Sequence, residues 1–417
     1  VSSGQFTPFD DVAIIEALRT PWVDLNGALA QVSPIDLGIK VGRAVLARAG
    51  LAPSAVDSVL AGSMAQASFD AYLLPRHIGL YSGVPQQVPA LAVQRICGTG
   101  LELLRQAGTQ LRDGVQLALC VAAESMSRNP IVAYGHRSGF RLGAEVGFKD
   151  FLWEALHDPA PDVDMIATAE RLARDYGISR EQVDAYALSS HQRALQARND
   201  GWLAGEIVAV DNETFRLEGY RSRGIRLPRQ VERVEQDSHP RPTDAQALAR
   251  LSAIHREGVQ TAGNSCAVVD GAAAALVGRA SACTRAPLAL LRAASVTGVA
   301  PEIMGIGPAP AIRLLLERSG LELDDIALLE INEAQGAQVL AVSQALELAP
   351  ERLNRRGGSI ALGHPLAATG LRLVMTLARQ LRDDNLRYGI AAACIGGGQG
   401  MALLIENPAY LSQRVAP

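Results

Sequence analysis

Gly50-Leu51-Ala52-Pro53-Ser54-Ala55-Val56-Asp57-Ser58-Val59 returns, much altered, as Gly320-Leu321-Glu322-Leu323-Asp324-Asp325-Ile326-Ala327-Leu328-Leu329. Gly-Leu and the aliphatic positions Val56/Ile326 and Val59/Leu329 keep a constant offset. In each copy a helix ends at the glycine, a short link follows, and a strand runs into a polar turn at Ser63 or Asn332. The first copy's helix covers residues 34–50, with apolar residues at helical spacing. The likeness continues outward in the same order. One half goes on to Cys97-Gly98-Thr99-Gly100, a helix reaching Asp113 and a buried strand at 117–123. The other goes on to Gly363-His364-Pro365, a helix reaching Arg382 and a buried strand at 390–394. With residues 12–16 as an opening strand, the pattern predicts an α/β fold of two duplicated halves with a site between them.

At 417 residues the chain exceeds what one hydrophobic core usually supports. Hydrophobic residues are 48% and charged residues 20%, the balance of a globular enzyme. Aromatics are only 4%, and the net charge of −4 excludes the broad basic face a nucleic-acid binder needs. No apolar run approaches the roughly 20 residues of a membrane span. Residues 1–10 lack the blocks of a signal peptide and read as a disordered or added leader. The five cysteines are scattered, with no CxxC pair, so neither a disulfide framework nor a zinc site is expected. Free thiols fit a reducing compartment, here expected to be the cytoplasm.

Between the halves, residues 130–258 change texture and read as an inserted loop domain. The first half is expected at 11–129, completed by about 259–285, and the second at 286–417. Within the insertion, 168–197 reads as helical, with Ser179 placed to cap a helix start. Residues 216–241 hold seven arginines against Glu218, Glu232, Glu235 and Asp237, a local positive excess.

Cys97 stands just ahead of a predicted helix, where unpaired N–H groups and the helix dipole favour thiolate. On its own such a cysteine is more often buried and inert. His364, between Gly363 and Pro365, has a backbone fixed by its neighbours, which suits a base that holds one orientation. Cys394 precedes Ile395-Gly396-Gly397-Gly398-Gln399-Gly400, and three glycines expose N–H groups as an oxyanion hole would. Asn332-Glu333 follows a strand and is equally suited to capping a helix.

Together these stretches resemble the thiolase family. The likeness runs through Arg19-Thr20-Pro21, Cys97 to Gly100, Glu124-Ser125-Met126-Ser127, Thr261-Ala262-Gly263-Asn264 and Asp270-Gly271-Ala272-Ala273. It continues through Met304-Gly305-Ile306-Gly307-Pro308, Asn332-Glu333-Ala334, the 357–370 run and Cys394 to Gly400. The resemblance implies a five-layered α/β/α/β/α core and an inserted loop domain that binds coenzyme A. It implies an acyltransferase that cleaves 3-ketoacyl-CoA, or condenses two acyl-CoAs, as in fatty-acid β-oxidation. Coenzyme A is then a substrate, with no permanently bound cofactor and no metal. Cys97 would carry the acyl group, His364 would activate it, and Cys394 would move the α-proton. Asn332 would hold a water that steadies the enolate, and the N–H groups of Cys97 and Gly396 the tetrahedral oxyanion. Arg241, after His239-Pro240, is the expected adenine-side contact; Cys266 and Met165 line the pantetheine and acyl region. Family precedent favours a homodimer or homotetramer.

Three departures concern the pocket. Gln335 follows Ala334 where the family usually has phenylalanine, Cys266 replaces a serine, and Asp164 and Ile166 flank the retained Met165. They imply an altered acyl preference, for a longer or branched chain. A decarboxylating ketoacyl synthase shares the nucleophile, but would be expected to lack a second thiol such as Cys394. A non-catalytic acyl-CoA carrier on the same scaffold has no need of Cys97, His364 and Cys394 together.

Overall fold

The computed structural model describes residues 3–65 and 70–412. Eleven strands form the main sheet: β1 (Gln5–Pro8), β2 (Val12–Arg19), β3 (Val23–Asp24), β4 (Ser58–Gly62), β5 (Ala90–Ala92), β6 (Leu117–Glu124), β7 (Val269–Arg279), β8 (Ala289–Gly298), β9 (Ile326–Ile331), β10 (Tyr388–Ile395) and β11 (Gln399–Glu406). The main helices are α1 (Pro34–Ala49), α2 (Leu74–Tyr81), α3 (Thr99–Arg112), α4 (Met165–Asp175), α5 (Arg180–Asn199), α6 (Pro308–Ser319), α7 (Gly336–Leu346) and α8 (Thr369–Asp383).

The duplication is visible in the ladders. β4 pairs parallel to β6, β6 antiparallel to β7, and β7 antiparallel to β2. In the second half β9 pairs parallel to β10, β10 antiparallel to β11, and β11 antiparallel to β8. The halves join where Ala289 and Leu290 of β8 meet Ile14 and Ala13 of β2. The repeated sequence produces the repeated geometry. α1 and α6 both begin with proline and both end at a left-handed glycine, Gly50 at φ 68° and Gly320 at φ 66°.

Strand alternation then sets the layers. Leu119 and Val121 of β6 face α1, packing with Ile35 and Ile39, while Cys120 and Ala122 face the opposite way. Ile390 and Ala392 of β10 pack with Ile312 and Val339 on the outside, while Ala391 and Ala393 face inward. Both inward faces close on α3 and α8, through Leu101, Leu104, Leu371 and Val374. Outer helices, sheet, central helices, sheet and outer helices make the expected five layers.

One sequence expectation fails. Most of the supposed leader is structured: Gln5–Pro8 pairs antiparallel with β8, Gln5 opposite Val296, while Val1 and Ser2 lie outside the described residues. The 168–197 stretch is helical and divides at the expected helix start, where Gly177 at φ 63° turns the chain between α4 and α5. Ser179 does cap α5, in a reciprocal capping box with Gln182. The insertion is tied down by a buried knot. Arg19 of β2 pairs with Asp237 at 2.6 Å and Glu206 at 2.8 Å, and Glu206 reaches on to Arg379 of α8 at 3.2 Å.

Candidate active site

Cys97 lies on the tight turn that leads into α3. Ile96 before it has φ 46°, an uncommon conformation for a β-branched residue, and the strain is held by a small network. Thr99 Oγ1 accepts from Arg95 N at 2.9 Å and donates to Ile96 O at 2.7 Å. Arg95 is itself braced by Glu102 at 3.0 Å and by Gln399 of β11 at 3.0 Å. The Gly396 N–H and the Cys97 N–H both reach the Cys97 sulfur.

The turn after Cys394 depends on its glycines. Gly398 has φ 84°, and a Cβ there would lie 2.3 Å from Val299 O. Gly363, ahead of the histidine, has φ 93°, and its Cβ would strike Val269. His364 is thereby set into the wall with its N–H on Ala267 O at 2.9 Å. Thr369 Oγ1 lies 2.6 Å from its Nδ1 and also donates to Pro365 O at 3.1 Å. With the threonine proton so directed, Nδ1 carries the hydrogen and Nε2 the lone pair. Asn332 Nδ2 stands 3.3 Å from that Nε2, oriented by Ser359 Oγ donating to Asn332 Oδ1 at 2.7 Å. Asn332 is fully buried behind the histidine and is not part of the cavity wall.

Cys97, His364, Cys394, Cys266 and Met165 line one cavity of about 510 Å³, walled mainly by Leu25, Met126, Trp153, Leu156, Ile166, Ile254, Met304 and Leu366. A neighbouring cavity of about 220 Å³ opens on Cys97, Gly396 and Met165 from the other side. Met165 begins α4, where Asp164 Oδ1 caps Ala167 N at 2.8 Å. All five cysteines are free. Burial pushes the Cys97 thiol up to about 12, helped by nearby Glu124, in the direction opposite to the thiolate that a helix start favours. Burial likewise pushes Cys266 to about 12 and raises Cys394, each thiol reinforcing its neighbours. Burial, with the Arg372 cation nearby, drives His364 down to about 3.

The arginine-rich segment does not gather on the cavity. Arg223 is committed to Asp36 and Asp70, at 2.9 and 2.8 Å, and Arg226 donates to Glu213 O and Ile225 O. From 216–241 only His239 reaches the wall, bound to Asp24 at 2.6 Å, with exposed Arg241 3.1 Å from its ring. Sequence reasoning missed two carboxylates that hold the site. Glu124 ties the first half to the histidine loop through Ser63 Oγ, Met64 N and Ala367 N, at 2.9 to 3.0 Å. Glu333 accepts from Tyr186, Ser190, Asn354 and Ile360 N, fixing the loop that ends at His364. The only sequence signal for either was its place in a motif, beside Ser125 or Asn332.

Profile comparison decides the family: the description "Thiolase, N-terminal domain" matches residues 12–281 and "Thiolase, C-terminal domain" residues 285–407. The chain belongs to the thiolase family. It is 40% identical over 405 residues to a mitochondrial 3-ketoacyl-CoA thiolase of Bos taurus, covering 95% of this chain and 98% of that protein. It is 40% identical over 404 residues to a probable acetyl-CoA acetyltransferase of Escherichia coli, covering 95% and 99%. The crystal structure of human mitochondrial 3-ketoacyl-CoA thiolase in complex with CoA superposes with a TM-score of 0.89 at 36% identity, covering 95% of this chain and 98% of that one. The protein is thus an acyltransferase of the thiolase class, with coenzyme A among its substrates. Among the described residues no helix is long and apolar enough to cross a membrane.

Proposed function

We propose that this thiolase cleaves 3-ketoacyl-CoA, or runs the reverse condensation, through an acyl thioester on Cys97. The observation that carries the reading is the meeting of Cys97, Cys394 and a neutral His364 at one cavity, with Gly396 beside Cys97. In cleavage Cys97 Sγ attacks the 3-keto carbon while His364 takes the thiol proton. The Cys97 and Gly396 N–H groups hold the oxyanion. As the bond between C2 and C3 breaks, Cys394 protonates the enolate of acetyl-CoA, and a water held by Asn332 steadies the enolate oxygen together with His364. Coenzyme A thiol then takes the acyl group from Cys97. Neutral His364 suits the first step, because a buried imidazolium has no proton vacancy to offer.

The test separates the half-reactions. Cys97 should be the acylated residue when peptides are mapped by mass after incubation with acetyl-CoA. Cys394→Ala should lower turnover by about 10²–10⁴-fold while Cys97 acylation stays near wild type. Acylation that falls as far as turnover would remove Cys394 as a separate base.

Residues 130–258 are proposed as the unit that holds coenzyme A, with Cys266 and Met165 along the pantetheine and acyl path and Arg241 at the outer end. Arg241 is exposed beside His239, at the rim rather than inside. Arg241→Ala should raise KM for CoA thioesters and leave pantetheine thioesters unaffected; equal losses would make it a folding residue. The proposed setting is the cytoplasm, a reducing compartment that suits five free thiols. The proposed assembly is a homodimer or homotetramer. Its support is the set of exposed apolar side chains in the insertion, Ile131, Phe140, Leu142, Phe148 and Trp153.

A further inference from the structure

The wall of the cavity is interrupted by one buried amide. Gln335 lines it, 4% exposed, immediately after Ala334, whose side chain packs with Cys394 and Met304. Gln335 stands at the N-cap of α7 in a capping box with Gln338, but the Gln335 side chain makes no capping hydrogen bond of full geometry. Gln338 Oε1 accepts from Ala334 N at 3.1 Å and Gln335 N at 3.5 Å, whereas Gln335 Oε1 finds no partner among the described residues. The pattern extends behind it. Gln338 Nε2 and Gln260 Nε2 are also buried without partners, and Gln260 Oε1 contacts Ser265 Oγ at 3.4 Å, next to the Ser265–Gln335 bridge.

A buried amide left unsatisfied is destabilising, so an apolar acyl pocket gains nothing from this arrangement. It does serve a substrate that brings its own polar group. A glutamine amide offers both an NH2 that donates and a carbonyl oxygen that accepts, and a flip exchanges their places. A hydroxyl satisfies both. A carboxylate satisfies only the donor, and the charged side chains that line the cavity are Asp24 and Asp164, with no lysine or arginine. We propose that Gln335 is a specificity-determining residue that hydrogen-bonds a neutral hydroxyl on the acyl chain, making hydroxylated 3-ketoacyl-CoAs the preferred class. The inference rests on the thiolase reading of the same site. Because Gln335 lines the same cavity as Cys394 and follows Ala334, which packs with Cys394, the recognised oxygen is expected within a few carbons of the bond that breaks.

Thiolysis of 3-ketohexanoyl-CoA is compared with its 4-, 5- and 6-hydroxy derivatives and with 3-ketoadipyl-CoA. At least one hydroxy isomer should exceed the unsubstituted chain by about 10-fold in kcat/KM, and the carboxylate should fall below it. In Gln335→Leu that ratio should drop to about one or below; Gln335→Met repeats the measurement should the leucine variant fail to fold. If every hydroxy isomer is cleaved more slowly than the unsubstituted chain by the wild-type enzyme, the proposal is wrong. It is equally wrong if the variants lose the same factor on all substrates, the mark of a pantetheine contact or of packing. Cleavage of the unsubstituted chain without a hydroxyl preference removes this inference alone. No cleavage, with Cys97 left unacylated, removes the thiolase reading and this inference with it.

Discussion

Burial keeps both Cys97 and His364 uncharged, the thiol raised to about 12 and the imidazole lowered to about 3. His191, buried beside His239 and Arg241, is lowered to about 4 by the same cause, with those two neighbours adding to it. An imidazole whose folded pKa lies below its ordinary 6.5 binds fewer protons in the native chain than in the unfolded one. Its stabilisation is complete above about 6.5 and is lost as pH falls toward the folded value. Each group therefore costs about 2 kcal/mol between pH 7 and pH 5. Urea titrations at the two pH values should show His191→Gln losing less stability than wild type by about that amount; parallel losses would refute it. The identity of these residues was legible in the sequence, because motifs carry side chains. Their charge state was not. The sequence expectation set the dipole of α3 beside the chance of a buried, inert cysteine, but the extent of burial is something no local window displays. The φ of Ile96 was equally silent, since an isoleucine announces no left-handed turn.

Cys97 and His364 precede the two central helices, so the approach of α3 to α8 sets the distance between nucleophile and base. That approach is made at glycines. A Cβ on Gly100 would lie 2.5 Å from Leu371 N and 2.9 Å from Ala367 O, and one on Gly370 would lie 2.4 Å from Leu101 N. Backbone against backbone leaves no flexible side chain to yield. Gly100→Ala should cost about 1–3 kcal/mol in thermal or urea unfolding. It should also slow Cys97 acylation more than it weakens substrate binding; an unchanged acylation rate in a destabilised protein would uncouple the crossing from the site. Elements with strong local signals were readable, above all the helix–glycine–link–strand unit at 50–59 and 320–329. Gln5–Pro8 was not, because a four-residue edge strand has no periodicity to read and its partner, β8, lies far along the chain. The arginine segment misled for a related reason. Asp36 and Asp70, which neutralise Arg223, are distant in sequence.

Across the whole molecule, the apolar side chains exposed between Ile131 and Trp153 need a cover. Light scattering at micromolar concentration should return a multiple of the 44.1 kDa chain mass, and a single-chain mass would refute the oligomer. The two-half architecture was legible because duplication writes itself twice; how the halves interlock was not. β2 is among the first strands made, yet its neighbour β7 follows only after the entire insertion. α3 is made early as well, and the helix that roofs it, α8, is nearly the last. On a ribosome the first half therefore waits, with an apolar face uncovered, for most of the time the chain takes to make. Such a nascent chain is a natural client for whatever shields hydrophobic surface during translation. Its exposure ends only when Tyr388–Ile395 and Gln399–Glu406 emerge and close the second sheet over the central helices.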